Sequence, residues 1–509
     1  MLSSAASTTL LPGFVGTTLP EWLAARLRAG LGGVCIFGPN FEDAGQLRRL
    51  TDQVRAANPN AVVAIDEEGG DVTRLHYATG SPYPGNAVLG RIDDTAVTSR
   101  VAATVAGELR AAGCTLDFAP SVDVNSNPLN PVIGVRSFGA DEHLVARHGA
   151  AWVTGLQGAG VAACAKHFPG HGDVDADSHI ALPVLDLDRD TLLNRELVPF
   201  AAAIDAGVTS IMTSHIMLPQ IDSENPATMS RAVLEGLLRG DLGFDGLIVS
   251  DALDMAGASA EIGIPEAAVR ALNAGVDLLC IGTANTDEQL EQIEHAITDA
   301  VATGRLAASR VEQAAQRVLD FASATVISDV GSGDAASVDA AAADAVIDDA
   351  AVGEAARAIE VSADAAELDA ARTPAAVLRL DAAANIAVGS APWGPFSLDD
   401  PWGGAPVTRM DLANDTATDV ARALDAASPE GTIIVVGKSN HQHPGAVAVV
   451  DALRAAGRPV LTIDMGWPKA DRAYADVATF GASRLVGAAL VRCLFGPDGR
   501  FDHTDRAAS

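Results

Sequence analysis

The densest run of chemically capable side chains is AKHFPGHGDVDADSHIALP, residues 165–183, which holds Lys166, His167, His171, Asp173, Asp175, Asp177 and His179. Pro169 with Gly170 and Gly172 breaks the helix option, so it is read as an ordered loop that follows a strand. Three imidazoles and three carboxylates in one loop could bind a metal ion. They could equally form a proton-transfer unit. Asp-x-His is a short tether, and through it Asp177 could hold one nitrogen of His179 and leave the other for a substrate. A solvated loop held by its own hydrogen bonds is the plainer third reading.

Three further stretches carry polar groups at the ends of apolar runs. In GFDGLIVSDALDM (243–255) the run GLIVS delivers Asp251, which at a strand end could be a nucleophile, a base or a metal ligand. Asp254 could do the same or satisfy free amides at a helix start; Asp245 precedes the strand and is structural. In AIDEEGGDVTRL (64–75) Asp66 follows a strand and is suited to accept hydrogen bonds from hydroxyl groups, with Arg74 balancing its charge or binding substrate. In SVDVNSNPLNPVIGVRSFG (121–139) Asp123, Asn125 and Asn130 can hold an extended loop that ends at Arg136, Ser137 and Phe138. Arg136 is the member expected to reach a ligand.

Something must position these groups. Short apolar runs recur at VCIFG (34–38), AVVAID (61–66), LDFAPSV (116–122), ACAKHF (163–168), SIMTSHI (210–216), GLIVSD (246–251) and DLLCIG (277–282), each followed by a helical stretch. LLPGFVG near the N-terminus supplies an eighth. Eight parallel βα units predict a (β/α)₈ barrel of TIM type, with an open doubly wound sheet as the competing α/β arrangement. The barrel is favoured because Asp66, Asp123, Lys166 with His167, His215 and Asp251 all follow the apolar body of their runs, and barrel active sites form at that face. The barrel is expected over 1–325, closed by the helix VEQAAQRVLDF (311–321). An Ala-, Asp-, Ser- and Gly-rich linker is expected over 326–348. A smaller α/β domain is expected over 349–509, where GTIIVVGKSN, GAVAVVDALRAAG and RPVLTIDMGWP alternate as strand, helix and strand.

The 509 residues include 66 acidic and 34 basic side chains, a net charge of -32. That balance would repel phosphates, which argues against a nucleic-acid partner and against docking on anionic membranes, and fits a neutral or cationic ligand. No run of about 18 apolar residues predicts a transmembrane helix. The N-terminus lacks the basic start and apolar core of a secretory signal. Cys35, Cys114, Cys164, Cys280 and Cys493 are scattered without a CxxC pair, so they are expected as reduced core residues of a cytoplasmic protein with no thiolate zinc site.

Taken together, the four stretches resemble glycoside hydrolase family 3, and more narrowly its bacterial β-N-acetylglucosaminidase branch. The resemblance spans roughly residues 10–320 and rests on KHFPGHGDVDADSH followed by LP, on NSNPLNPVIGVRSFG and on GFDGLIVSDALDM. It implies a retaining mechanism with Asp251 as nucleophile, His179 as acid/base and Asp177 as its dyad partner. It also implies that Asp66, Arg74, Arg136, Lys166 and His167 bind the sugar, with no metal and no cofactor. The substrate implied is a β-N-acetylglucosaminide or a β-glucoside. A muropeptide fragment of peptidoglycan turnover, a chitin oligomer or another glucoside all remain open as its source. Because an imidazole does not repel an anionic acceptor as a carboxylate would, a phosphorylase using inorganic phosphate is the alternative activity. The chain departs from the family pattern at Glu67 and Asp71, where Gln and Arg are common; this is expected to remove a positive charge near the pocket rim. The segment KSNHQHP (438–444) is expected to serve assembly or the rim rather than catalysis.

Overall fold

The structure, a computed structural model, describes residues 2–176, 182–325, 347–383, 387–427 and 430–496. The expected linker falls almost wholly outside the described residues. Contacts group the chain into two compact units, one of Met1–Leu75, Asp93–Ile133 and Ser137–Ala345, the other of His76–Ile92, Gly134–Arg136 and Val346–Ser509.

The first unit is a (β/α)₈ barrel. Its strands are β1 (Leu10–Pro12), β2 (Gly33–Ile36), β3 (Val62–Ile65), β4 (Leu116–Asp117), β5 (Ala162–Phe168), β6 (Ser210–Thr213), β7 (Leu247–Val249) and β8 (Leu279–Gly282). Parallel ladders join β2 through β7 in chain order and join β1 to β8. A parallel bridge between Val249 and Leu278 ties β7 to β8. At the β1/β2 seam Leu11 packs on Gly33, where a Cβ would lie 2.9 Å from Leu11 Cδ1. The run 116–122 yields only a two-residue strand, because Pro120 offers no N–H to the ladder; pairing resumes at the Ser121–Lys166 bridge.

Every residue of β1, β2, β3 and β7 is buried, as expected of strands covered on both faces. The barrel interior is filled by Leu11, Cys35, Val62, Leu116, Cys164, Met212, Val249 and Cys280, with Val318 and Phe321 of the helix Ala308–Ala324 packed against them. Three of the five cysteines thus serve as small filling residues; Cys493 alone is exposed, against the expectation of a core position. Aspartates start several of the covering helices: Asp43, Asp94, Asp141 and Asp188 each accept a first-turn N–H.

In the second unit six strands pair in the order β9 (Glu360–Val361), β14 (Val477–Ala478), β13 (Val460–Asp464), β12 (Ile433–Gly437), β10 (Ala376–Asp381) and β11 (Val407–Asp411). All pairs are parallel except β9 with β14. The period-2 pattern divides β12 cleanly. Ile434 and Val436 join the core with Val352, Leu485 and Leu490, while Ile433 and Val435 join the other face with Leu424, Val449 and Leu453.

One buried carboxylate clamps the amino-terminal side of the barrel. Asp277 receives Arg239 at 2.8 Å, Arg310 at 2.6 Å and Arg317 at 3.5 Å, and accepts the Ile248 N–H at 3.1 Å. It joins the approach to β7, the approach to β8 and the closing helix. Removing it strands guanidinium groups in a desolvated setting. Asp277→Ala is expected to lower unfolding free energy by about 3–5 kcal/mol, measured by urea denaturation.

Candidate active site

The apolar strands β3 and β5 lie one strand apart and end in charged residues that meet across β4. Lys166 is almost fully buried, which only paired charges tolerate. Its Nζ lies 2.7 Å from Asp66 Oδ1 and 2.8 Å from Glu68 Oε1. Arg74 Nη2 stands 3.8 Å from Asp66 Oδ2. Two cations therefore face the Asp66 carboxylate, which keeps 18 % of its side chain exposed and so can also meet a ligand.

The end of β4 supplies the second cluster. Asp123 is fully buried and gathers four donors. Oδ1 accepts the N–H of His167 at 3.2 Å and of His171 at 2.7 Å; Oδ2 accepts His167 Nδ1 at 2.7 Å and Ser121 Oγ at 2.9 Å. Burial works to raise its proton affinity, but the His167 charge and hydrogen bond outweigh this and hold the carboxyl below its ordinary value. Nδ1 of His167 is thus committed to Asp123. His171 packs edge-on to His167 at 6.0 Å between ring centroids. Burial, reinforced by His167, pushes His171 down to about 4, so it is neutral near pH 7.

Glu67 is fully buried. Its Oε2 accepts Thr73 Oγ1, Arg74 N and Leu75 N at 2.9, 2.8 and 2.9 Å. Glu67 thus fixes the backbone that carries Arg74. The Glu67 N–H donates to Asp117 Oδ1 at 2.9 Å. Burial raises Asp117 well above the ordinary carboxylate range.

Asp251 follows β7 and is half-buried, with Oδ1 accepting the Ala252 N–H at 2.8 Å. His215, beyond β6, donates from Nε2 to Ala252 O at 3.0 Å, and its Nδ1 meets Thr228 Oγ1 at 3.0 Å. That brace steadies the peptide beside Asp251. Asp254 instead accepts the Thr283 N–H at 3.1 Å and leaves no room for a Cβ at Gly282, so it pins the β7 loop to the end of β8.

The root of the loop after β5 is held from below. Arg195 bonds Asp173 at 2.5 Å and Glu196 at 2.7 Å, and Glu196 fills the space a Cβ on Gly170 would need. Asn130 donates to His171 O and Val174 O at 2.8 and 3.1 Å, joining this loop to the one after β4. Gly172 lies so close to Val124 O that a Cβ would stand 1.7 Å away. Asp177 and His179 lie outside the described residues. Among the described residues no group of three or more His, Cys, Asp or Glu side chains is arranged to hold a metal ion.

Of the residues singled out from the sequence, Asp66, Arg74, Lys166, His167 and Asp123 are brought together directly, and Asp251 lies at the end of another strand of the same barrel. Arg136 belongs to the second unit; it is buried, and its carbonyl accepts Asn86 Nδ2 at 2.7 Å. Glu68, Asp117, Arg195 and Glu196 were not anticipated. Glu68 had a signal, since it stands two residues beyond Asp66, the spacing that returns a side chain to one side of an extended chain. Glu196 had none, as it lies in a helical stretch like any amphipathic one.

Residues 17–321 match the family described as Glycosyl hydrolase family 3 N terminal domain. A beta-hexosaminidase A of Pseudoalteromonas piscicida is 36% identical over 328 residues, 59% of this chain; the match spans 55% of that protein, little more than half its length. A beta-hexosaminidase of Bordetella avium is 38% identical over 288 residues, covering 55% of this chain and 82% of that one. A solved glycoside hydrolase family 3 beta-N-acetylglucosaminidase from Paenibacillus sp. str. FPU-7 superposes with a TM-score of 0.81 at 29% identity, covering 98% of this chain and 97% of that one.

Burial raises Glu196 from 4.5 to about 7, against the pull of Arg195. The folded value lies above the unfolded one, so folding favours the protonated form. Its stabilising contribution is full below pH 4.5 and is lost as pH rises through about 7. Glu196→Gln is expected to remove about 3 kcal/mol of this pH dependence, read as a smaller fall in unfolding free energy between pH 5 and pH 8 than the parent shows.

Proposed function

The chain belongs to glycosyl hydrolase family 3, and we propose that it is an exo-acting, retaining β-N-acetylglucosaminidase that releases terminal β-linked N-acetylglucosamine. The observation that carries this reading is the buried Asp66–Lys166–Glu68 and Asp123–His167 network at the strand ends of a barrel that also presents a half-buried Asp251. A neutral polyhydroxyl ring suits such a rim. Carboxylate and ammonium groups held by one another can exchange hydrogen bonds with ring hydroxyls without carrying a large net charge into the pocket. The relatives named beta-hexosaminidase support the choice of sugar.

In this mechanism the Asp251 carboxylate attacks the anomeric carbon as the glycosidic C–O bond breaks. The electron pair goes to the departing oxygen, which takes a proton from His179. Water then adds at the same carbon from the opposite side. It gives its proton to His179 while the glycosyl–Asp251 ester opens, so configuration is retained. Asp177 stabilises the imidazolium. Lys166, Asp66, Arg74 and His167 hold the sugar, and their binding energy is realised as the ring flattens toward the oxocarbenium-like transition state. The aglycone side would accept a muropeptide fragment or a chitin oligomer. Four buried free cysteines are consistent with a reducing compartment.

Asp251→Ala is expected to abolish turnover of an aryl N-acetyl-β-glucosaminide, and His179→Ala to slow the first step most when the leaving phenol is poor. Rapid-quench mass spectrometry of the parent should place one N-acetylglucosaminyl group on the peptide that contains Asp251. Near-normal turnover by the Asp251 variant would overturn the assignment. Adding inorganic phosphate should leave the rate unchanged and yield free sugar; a sugar 1-phosphate product would mark a phosphorylase instead.

A further inference from the structure

The helices Leu2–Thr8, Glu21–Arg28 and Asp287–Ala302 frame an open cleft of about 460 Å³ on the outer wall of the barrel. Trp22 contributes a half-buried indole to it. Ser3, Ser4 and Ser7 contribute hydroxyls. Among the described residues none of these three hydroxyls, and not the Trp22 N–H, makes a hydrogen bond within the chain. The remaining polar lining is one guanidinium and two carboxylates, a net charge of -1, with the guanidinium bonded to both. Arg26 Nε lies 2.6 Å from Asp287 Oδ1, its Nη1 2.8 Å from Glu294 Oε2, and its Nη2 donates to Asp287 O at 3.1 Å.

This combination selects a ligand class. One guanidinium held by two carboxylates offers no net positive charge, so an anion is disfavoured. A cation would find a single uncompensated charge, on carboxylates that already hold Arg26. Unpartnered hydroxyls and an indole N–H call for a neutral group rich in donors and acceptors. The flat apolar face of an indole suits the C–H face of a pyranose ring, and the cleft is large enough for a small ligand. We infer that this cleft is a second carbohydrate-binding site that takes a pyranose unit of a neutral oligosaccharide, apart from the strand-end cluster. The inference rests on the proposed glycosidase activity only for the choice of probe. Such a site would hold a glycan chain on the enzyme between successive cleavages and raise the local concentration of chain ends.

The test uses the full chain carrying Asp251→Ala, titrated calorimetrically with chitotetraose. Two binding events are expected. Adding Trp22→Ala should weaken one of them at least tenfold and leave the other unchanged. Ser4→Trp, which fills the cleft while keeping the Trp22 indole, should do the same. In the otherwise unaltered enzyme, turnover of a small aryl N-acetyl-β-glucosaminide by either cleft variant should stay within twofold of the parent. That assay reports on the strand-end site alone, so its failure in the parent bears on the glycosidase reading and not on the cleft. Cellotetraose binding lost in both cleft variants would also support the site, as one for pyranose chains in general. A single event indifferent to both variants, no binding of either tetrasaccharide at the cleft, or loss of aryl turnover in both would overturn the inference.

Discussion

The Asp123 carboxylate receives four hydrogen bonds in a fully buried position, from Ser121, from the His167 backbone and ring, and from the His171 backbone. Those donors come from the ends of β4 and β5 and from the loop beyond β5. A carboxylate so placed is stable only while all of its acceptor sites are filled by good donors. The two strand ends and the loop root are therefore fixed relative to one another. Lys166 lies next to His167 in the chain, and once His167 is held, its ammonium is delivered between Asp66 and Glu68. The arrangement is cooperative: loosening one carboxylate would leave buried partners unpaired on three neighbouring elements.

The same economy runs through the first unit. The chain carries 66 acidic residues, yet those that matter to the fold act as local acceptors rather than as a diffuse negative field. Aspartates cap helices, Asp277 gathers three guanidinium groups at one end of the barrel, and Glu67 organises the turn that carries Arg74. At the opposite end the carboxylates Asp66, Glu68 and Asp123 hold cations or imidazole in place. One end of the barrel spends buried charge on joining elements, and the other on presenting chemistry. That division is what a (β/α)₈ barrel allows, because its strand bodies already supply a packed apolar core.

A glycosidase of this design would separate two tasks that a carboxylate pair usually shares. The carboxylate proposed as nucleophile follows a strand and is braced by its own peptide, itself held by His215. The proton donor would come from the loop whose root is gripped by Arg195, Glu196 and Asn130. The second unit is built by a different rule, alternation of apolar residues to both faces of a parallel sheet, which needs no buried ion pairs to specify it.

Much of this was legible from the chain alone. All eight barrel strands coincide with apolar runs visible in the sequence, since a strand buried on both faces must be continuously apolar and short. The placement of Asp66, Lys166, His167 and Asp251 at strand ends was legible for the same reason: the apolar run stops where the chain leaves the core. What a string of residues could not decide was which distant charges would pair. Glu68 reaches Lys166 across nearly a hundred residues of chain, Glu67 is buried beneath the turn that carries Arg74, Asp254 serves a neighbouring strand, and Arg136 falls in the other compact unit. Hydrophobic patterning acts through local periodicity and is written along the chain. The pairing of buried charges depends on distances of a few ångströms between segments far apart in sequence, and those exist only once the barrel has closed.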